Sequence, residues 1–201
     1  TINETNARVA MHGVRRAILD QQAQAAGLPL FSVSLPSPCS NEEYEERMGA
    51  EVRRAVGAGF THVAFGDLFL EDVRRYREER LAGTGLAPLF PLWGLDTSVL
   101  ARQMITAGVE ATITCVDSRA LDRSFAGRAF DAALLGDLPR TVDPCGERGE
   151  FHTCVTAGPM FSRRIGVTAG DVVERDALAQ LPAEQPGRGV DQGHVDARAR
   201  L

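Results

Sequence analysis

One short segment carries many of the side chains in this sequence that could take part in catalysis. It reads DPCGERGEFHT over residues 143–153. Glu147 and Glu150 can accept protons, orient an amine or hold a magnesium ion. His152 titrates near neutral pH and can carry a proton. Solvated acidic loops with an isolated histidine have the same composition, so the segment alone supports both a catalytic and a purely structural interpretation.

The glycines and the cysteine of this segment support the catalytic interpretation unequally. Gly146 and Gly149 can adopt backbone conformations closed to other residues, and they let a ligand come close to the main chain. Cys145 could act as a nucleophile, but no nearby residue pattern supplies the base that would activate it. The thiol is therefore the weaker candidate for a reacting group.

A second candidate site lies at the end of a predicted strand. The segment 61–66 is short and mostly apolar, which is typical of strands buried in a parallel sheet. Ligands of such sheets bind beyond the carboxyl ends of the strands, where Gly66 permits close approach and Asp67 offers a carboxylate. Asp67 could equally cap the following helix. Met11 and His12 lie where the first predicted helix begins, a position that favours anions, although a packed or capping role explains His12 at least as well.

The periodicity of apolar residues predicts the elements that hold these candidates. Strands are predicted at residues 1–3, 30–35, 61–66 and 110–117, and helices at about 9–26, from 40 onwards, at 70–82 and at 97–107. Ser40 and Glu43 have the spacing of a capping box. Gly27 is expected to end the first helix, and Asp96 or Thr97 is expected to cap the start of the helix at 97–107. Residues 83–94 read as a connection. The alternation of strands and helices predicts a doubly wound, mostly parallel α/β sheet.

The pattern changes after residue 117. A short helix, a helix around 127–136, the segment 143–153 and a strand within 151–161 predict a smaller α+β domain. We therefore predict an α/β domain at 1–117, a smaller domain at 118–181 and a disordered tail at 182–201, since the tail is rich in Gly, Pro, Arg and Asp.

Composition narrows the class of protein. The net charge is −5 and no basic face is concentrated in the sequence, which argues against nucleic acid as a partner. No apolar run approaches the roughly 20 residues that span a bilayer, so no membrane partner is expected. Four separated cysteines without a C-x-x-C pattern favour reduced thiols and a cytoplasmic location. All 22 basic residues are arginine, so a phosphate-binding loop that depends on lysine cannot form within this chain.

Four blocks, taken in order, resemble the diphthine–ammonia ligase family of the adenine nucleotide alpha-hydrolase, or PP-loop ATP pyrophosphatase, superfamily. They are RVAMHGVRR, PCSNEEYEERM, THVAFGDLFLEDVRRYREERLAGTGLAPLFPLWG and VDPCGERGEFHTCVTAGPMF. The resemblance extends from about residue 1 to about residue 178. It implies a Rossmann-like nucleotide-binding sheet and an ATP-dependent amide ligase that adenylates a carboxylate, releases pyrophosphate and lets ammonia displace AMP.

The resemblance also implies roles for individual residues. It places the nucleotide, ATP with Mg²⁺, at Met11, His12, Gly66 and Asp67. Glu147, Glu150 and His152 would be catalytic, and the glutamates would orient ammonium and take its proton. Asp143, Cys145, Gly146, Gly149 and Thr153 would contact the substrate, a carboxylate-bearing small molecule or protein. The residues do not define a protein metal site, and a homodimer is left open.

One departure from the family leaves three interpretations open. Family members begin with a strand and an S-G-G-K-D-S loop, and neither is present in this sequence. We expect that the chain is truncated at its N-terminus and is a complete ligase only with its upstream segment. The alternatives are a non-catalytic adenine-nucleotide-binding module, and a bacterial homologue that amidates an unrelated carboxylate, as the arginine-only composition suggests.

Overall fold

The computed structural model describes residues 1–4, 7–9, 13–175 and 194–200. The strands are β1 Ile2–Asn3, β2 Arg8–Val9, β3 Ser34–Leu35, β4 His62–Ala64, β5 Ala87–Leu89, β6 Glu110–Asp117, β7 Phe151–Ala157, β8 Thr168–Arg175 and β9 His194–Arg200. The helices are α1 Arg16–Ala26, α2 Asn41–Gly57, α3 Glu71–Leu81, α4 Thr97–Thr106 and α5 Ala132–Asp137, with a 3-10 turn at Arg123–Phe125.

The described strands form three sheets. β1 pairs antiparallel with β2 and parallel with β3, and β4 pairs parallel with β5. α1 lies between β1 and β3 in the chain, and α3 lies between β4 and β5, so each parallel pair is a strand–helix–strand unit. The third sheet is antiparallel, with the order β7-β6-β9-β8. The fold is therefore mixed α/β with small parallel sheets.

The predicted doubly wound sheet is not formed by the described residues. β6 was expected to continue the parallel sheet, but it pairs antiparallel with β7 and β9. β6 precedes the predicted boundary at residue 117, whereas both of its partners follow it. The bounds of β6 agree with the prediction. Its pairing does not, because an apolar run predicts a strand without specifying which strand it pairs with.

Several helix ends follow the sequence signals. The Ser40 side chain accepts a hydrogen bond from the Glu43 amide at 3.1 Å, and Asp96 accepts one from the Val99 amide at 2.9 Å. Gly27 ends α1 in the left-handed conformation at φ 67°, which glycine adopts at little cost. α1 begins at Arg16 rather than near residue 9, since Arg8–Val9 is paired with β1 instead.

Besides β2, three strands lie where none was predicted. β5 contains Pro88, which has no amide hydrogen to donate; the strand tolerates it because β4 is its only partner among the described residues. β8 follows the smaller domain's predicted strand. β9 lies at His194–Arg200, within the predicted disordered tail, where polar and apolar residues alternate as in a strand. Residues 182–193 lie outside the described part of the chain. Conversely, β3 covers only two residues of the strand predicted at 30–35.

Two apolar clusters hold the site in place. The larger one packs β6 and β7 against α4 and α5, around Ile113, Leu134 and Phe151. The second one packs α1 against β7 and the segment that follows it, with Ile18, Cys154 and Ile165 in one cluster. Within the described ranges, no helix combines the length and apolar character needed to cross a membrane.

Candidate functional site

The first part of the candidate site is the rim where β4 and β5 end. The Phe65 amide donates to the Leu89 carbonyl at 2.8 Å, which extends the parallel pairing by one residue beyond β4. Gly66 follows and is exposed, and a Cβ added to it would meet no atom within 4 Å. The main chain at Gly66 is therefore not covered by neighbouring side chains.

The second part is the loop between α5 and β7, residues 138–150, which we call the acidic flap. The Leu68 amide donates to Glu147 Oε1 of this flap at 2.7 Å. Leu68 and Glu147 are 79 residues apart in sequence. This bond brings the acidic flap to the rim, only two residues from Gly66. The rim and the flap are therefore in direct contact.

Gly146 fixes the direction in which the acidic flap leaves Asp143. Its φ is 69°, and a Cβ at this position would lie 2.7 Å from the Phe151 carbonyl oxygen. Both the conformation and the space therefore exclude any other residue. Gly149 also has a positive φ, 83°, but open space around it. Glu147 lies between these two glycines, which sets its carboxylate toward the rim.

The environment of Glu147 alters its acidity. Burial raises the pKa of this carboxyl above the ordinary value of 4.5, and the neighbouring charges of Asp67 and Asp143 raise it further. The amides of Leu68 and Phe69 act in the opposite direction and lower the pKa. Burial is the largest of these causes, so Glu147 is a better proton acceptor than an exposed glutamate.

Asp143 organises the start of the acidic flap. It is buried, and its Oδ1 accepts hydrogen bonds from the amides of Cys145 at 2.9 Å and Glu147 at 3.4 Å. Its Oδ2 accepts a hydrogen bond from the Thr97 hydroxyl at 2.7 Å. Asp143 therefore ties the flap to the first residue of α4. Its predicted contact with a substrate would require a change in this arrangement.

Glu150, the last residue of the acidic flap, is hydrogen-bonded within the flap. It is 6% exposed, and its two oxygens accept hydrogen bonds from the amides of Asp143 and Arg148, both at 3.0 Å. Arg148 Nη1 lies 3.8 Å from Glu150 Oε1. These contacts close the loop from residue 143 to residue 150 on itself, so the geometry gives Glu150 the surroundings of a positioning residue.

The other predicted flap residues differ in their surroundings. Burial raises the pKa of Cys145 to about 12, and its thiol donates to the Thr97 carbonyl at 3.4 Å. A thiol in this state is a poor nucleophile near neutral pH. His152 and Thr153 are half-buried on β7, opposite Cys115 and Ile113 of β6. Met11 and His12 lie outside the described residues.

Two arginines lie beside the rim. Arg77 Nε lies 3.4 Å from Asp67 Oδ2, and the guanidinium lies 4.7 Å from the centre of the Phe65 ring. Arg148 lies 5.0 Å from the centre of the Phe69 ring. Among the described residues, no group of three or more His, Cys, Asp or Glu side chains is arranged to hold a metal ion.

The geometry can be compared with known proteins. Residues 96–177 match the family model described as the diphthamide synthase C-terminal domain. The matched segment contains α4, the acidic flap and β7, and it crosses the predicted boundary at residue 117. The match therefore indicates similarity to the C-terminal domain of diphthamide synthases.

Individual relatives agree with this match. Proteins named diphthine–ammonia ligase are 28% identical over 185 residues in Homo sapiens and 28% identical over 183 residues in Danio rerio. These alignments cover 82% and 81% of this chain, and 67% and 71% of the relatives. The protein of that name from Schizosaccharomyces pombe is 33% identical over 97 residues, which cover 46% of this chain but only 16% of its own length. The resemblance to the diphthine–ammonia ligase family predicted from the sequence is confirmed.

Proposed function

We propose that this chain functions as an ATP-dependent amide ligase of the diphthine–ammonia ligase type. A substrate carboxylate is adenylated with release of pyrophosphate, and ammonia then displaces AMP. The relatives' names describe a ligase that joins diphthine and ammonia. The observation that carries the proposal is the bond between Glu147 and the Leu68 amide, since it brings an acidic flap to the strand ends where nucleotides bind in α/β sheets.

The rim offers groups that suit a nucleotide. The open main chain at Gly66 permits close approach, and the Asp67 carboxylate could hold Mg²⁺ that accompanies ATP. The Arg77 guanidinium beside Asp67 can contact an anionic group bound at the rim. The two strand–helix–strand units are consistent with a doubly wound sheet of the adenine nucleotide alpha-hydrolase type, which forms part of this proposal. Met11 and His12 remain candidates for the same nucleotide.

Glu147 is suited to the ammonia step. The negative charge of the ionised Glu147 carboxylate attracts ammonium and the N–H groups of ammonia. When ammonia attacks the acyl carbon of the adenylate, a C–N bond forms and the nitrogen becomes positively charged. Its proton passes to Glu147, whose raised pKa favours protonation. The bond from the acyl carbon to AMP then breaks, which leaves the amide.

Glu150 and Asp143 have supporting roles in this proposal. Their carboxylates accept hydrogen bonds from main-chain amides within the acidic flap. They therefore hold Glu147 at the rim rather than contact the reacting atoms. His152 is kept as a candidate catalytic residue and Thr153 as a candidate for contact with the substrate, since both are only half-buried on the strand that follows the flap.

The proposal can be tested by amide formation. The purified full-length protein is mixed with ATP, Mg²⁺, an ammonium salt and a diphthine-bearing protein, and mass spectrometry detects conversion of the carboxylate to the amide. AMP and pyrophosphate should form in equal amounts. Glu147→Ala should abolish the amide product, whereas Glu79→Ala, which removes an exposed glutamate of α3, should not.

Two results would decide against the proposal. Full amide formation by Glu147→Ala would remove the role of the acidic flap. Tight binding of AMP and ATP in calorimetry, without AMP or pyrophosphate formation and without amide formation on any acceptor carboxylate, would instead indicate the non-catalytic nucleotide-binding module.

A further inference from the structure

The rim contains a seat for a carboxylate that is already filled by a side chain of the protein. The Leu68 amide donates to Glu147 Oε1 at 2.7 Å, and the next amide along the chain, that of Phe69, also lowers the pKa of Glu147. Successive amides that converge on one group form a site for an oxyanion. The residues that form this seat belong to the strand-to-helix loop, whereas its occupant comes from the acidic flap.

A cation lies beside this seat with unused hydrogen-bonding capacity. Arg77 contacts Asp67, the neighbour of Leu68, through Nε at 3.4 Å, which is longer than a strong charge-assisted hydrogen bond of about 2.7–2.9 Å. Within the part of the chain that the structure describes, its terminal nitrogens have no hydrogen-bond acceptor. The Phe65 ring holds the guanidinium in place. Arg77 can therefore turn two N–H groups toward an incoming anion.

We propose that the amides of Leu68 and Phe69, together with Arg77, bind the carboxylate of the substrate, and that Glu147 occupies this seat until the substrate displaces it. This inference rests on the proposed ligase function and specifies where its acceptor group binds. The exchange replaces one carboxylate by another and adds no charge to the seat. It also releases Glu147 next to the acyl carbon, where the proton of the attacking nitrogen must be accepted.

Charge favours a carboxylate over a phosphate in this seat. The negative charges of Asp67 and Asp143 are close enough to Glu147 to oppose its ionisation. A phosphate dianion would bring additional negative charge into the same field, whereas a carboxylate would not. Gly146 and Gly149, on either side of Glu147 in the loop, are flexible main-chain positions about which the Glu147 side chain can move out of the seat.

The experiment uses propionate as a probe and the amide signals of Leu68 and Phe69 in a nitrogen-15 NMR spectrum as the readout. If Glu147 competes for the seat, Glu147→Ala should bind propionate more tightly than the wild-type chain, by about tenfold for a competing contact of ordinary strength. The bound propionate should move both amide signals back toward their wild-type positions. The Glu147→Ala,Arg77→Ala double variant should bind propionate more weakly than Glu147→Ala does. Glu79→Ala and Arg75→Ala, exposed positions on α3, are the matched controls.

Glu147→Gln is a second variant that keeps the inference testable if Glu147→Ala does not fold. Glutamine keeps an oxygen that can accept from the Leu68 amide but carries no charge, so its propionate affinity should lie between those of the wild type and Glu147→Ala. Equal propionate affinity in the wild type and both variants would overturn the inference. So would tighter binding of inorganic phosphate than of propionate. Neither ATP nor ammonia is present, so failure of the ligase assay and failure of this one are separate results.

Discussion

Glu150→Gln distinguishes a positioning residue from a catalytic one. Glu150 accepts one amide hydrogen bond on each oxygen, from Asp143 and from Arg148, and it is 6% exposed. Glutamine offers only one acceptor, so either of the two amides would face an NH₂ group. The variant keeps the shape of the side chain and removes one hydrogen bond to a buried charge.

The size of the effect follows from these contacts. Loss of a hydrogen bond to a charged group costs about 1.5–3 kcal/mol of the free energy of unfolding. In a chain of 201 residues this corresponds to a fall in Tm of about 3–12 °C. Glu147→Gln is the matched control, because its amide oxygen can still accept from Leu68 at a half-exposed position, and it should cost less than about 1 kcal/mol.

The assay is urea unfolding followed by the fluorescence of Trp93, the single tryptophan. The free energy of unfolding should fall in Glu150→Gln with an unchanged dependence on urea concentration. Amide formation per folded molecule should fall less in this variant than in Glu147→Gln. The reasoning is refuted if Glu150→Gln is as stable as the wild type while its folded form is inactive, since Glu150 would then act on the reaction itself.

Three further predictions concern the same site. Thr97→Val removes the hydroxyl that donates to buried Asp143 and should lower the free energy of unfolding by about 2 kcal/mol, whereas Thr106→Val at the exposed end of α4 should change it by less than about 0.5 kcal/mol. Cys145, with its pKa raised to about 12, should resist iodoacetamide at pH 8, and peptide mass spectrometry should show its alkylation rising only as the pH is increased above 8; rapid modification at pH 8 would contradict the burial argument. Because Glu147 has a raised pKa, the native state binds the Glu147 proton more tightly than the unfolded chain does. The contribution of Glu147 to the free energy of unfolding is therefore complete below pH 4.5 and declines as the pH rises through the native pKa. Urea unfolding across this range should show the decline in the wild type and not in Glu147→Gln.

The local features of the fold could be predicted from the sequence. Ser40 and Asp96 cap their helices and Gly27 ends α1, as their residue types indicate. The bounds of β6 and the start of β7 were also predicted correctly, and the family resemblance was recognised from short ordered blocks. These features depend on residues within a few positions of each other, so their physical causes are contained in short stretches of sequence.

Features that depend on distant partners were predicted less well. The apolar pattern of β6 specifies a strand, but its antiparallel pairing with β7 and β9 is a choice among competing edges. β5 was missed since Pro88 is typical of connections, and the parallel pairing with β4 that makes it a strand crosses an entire helix.

The sequence alone determined that the acidic flap carries reactive groups, because side-chain chemistry belongs to the residue itself. Only the tertiary structure decided how those groups are used. Glu147 and Glu150 are three positions apart and identical in type, yet one binds a rim amide 79 residues away and the other binds the amides of its own loop. Their roles differ because a carboxylate is defined by the donors around it, and the fold places those donors.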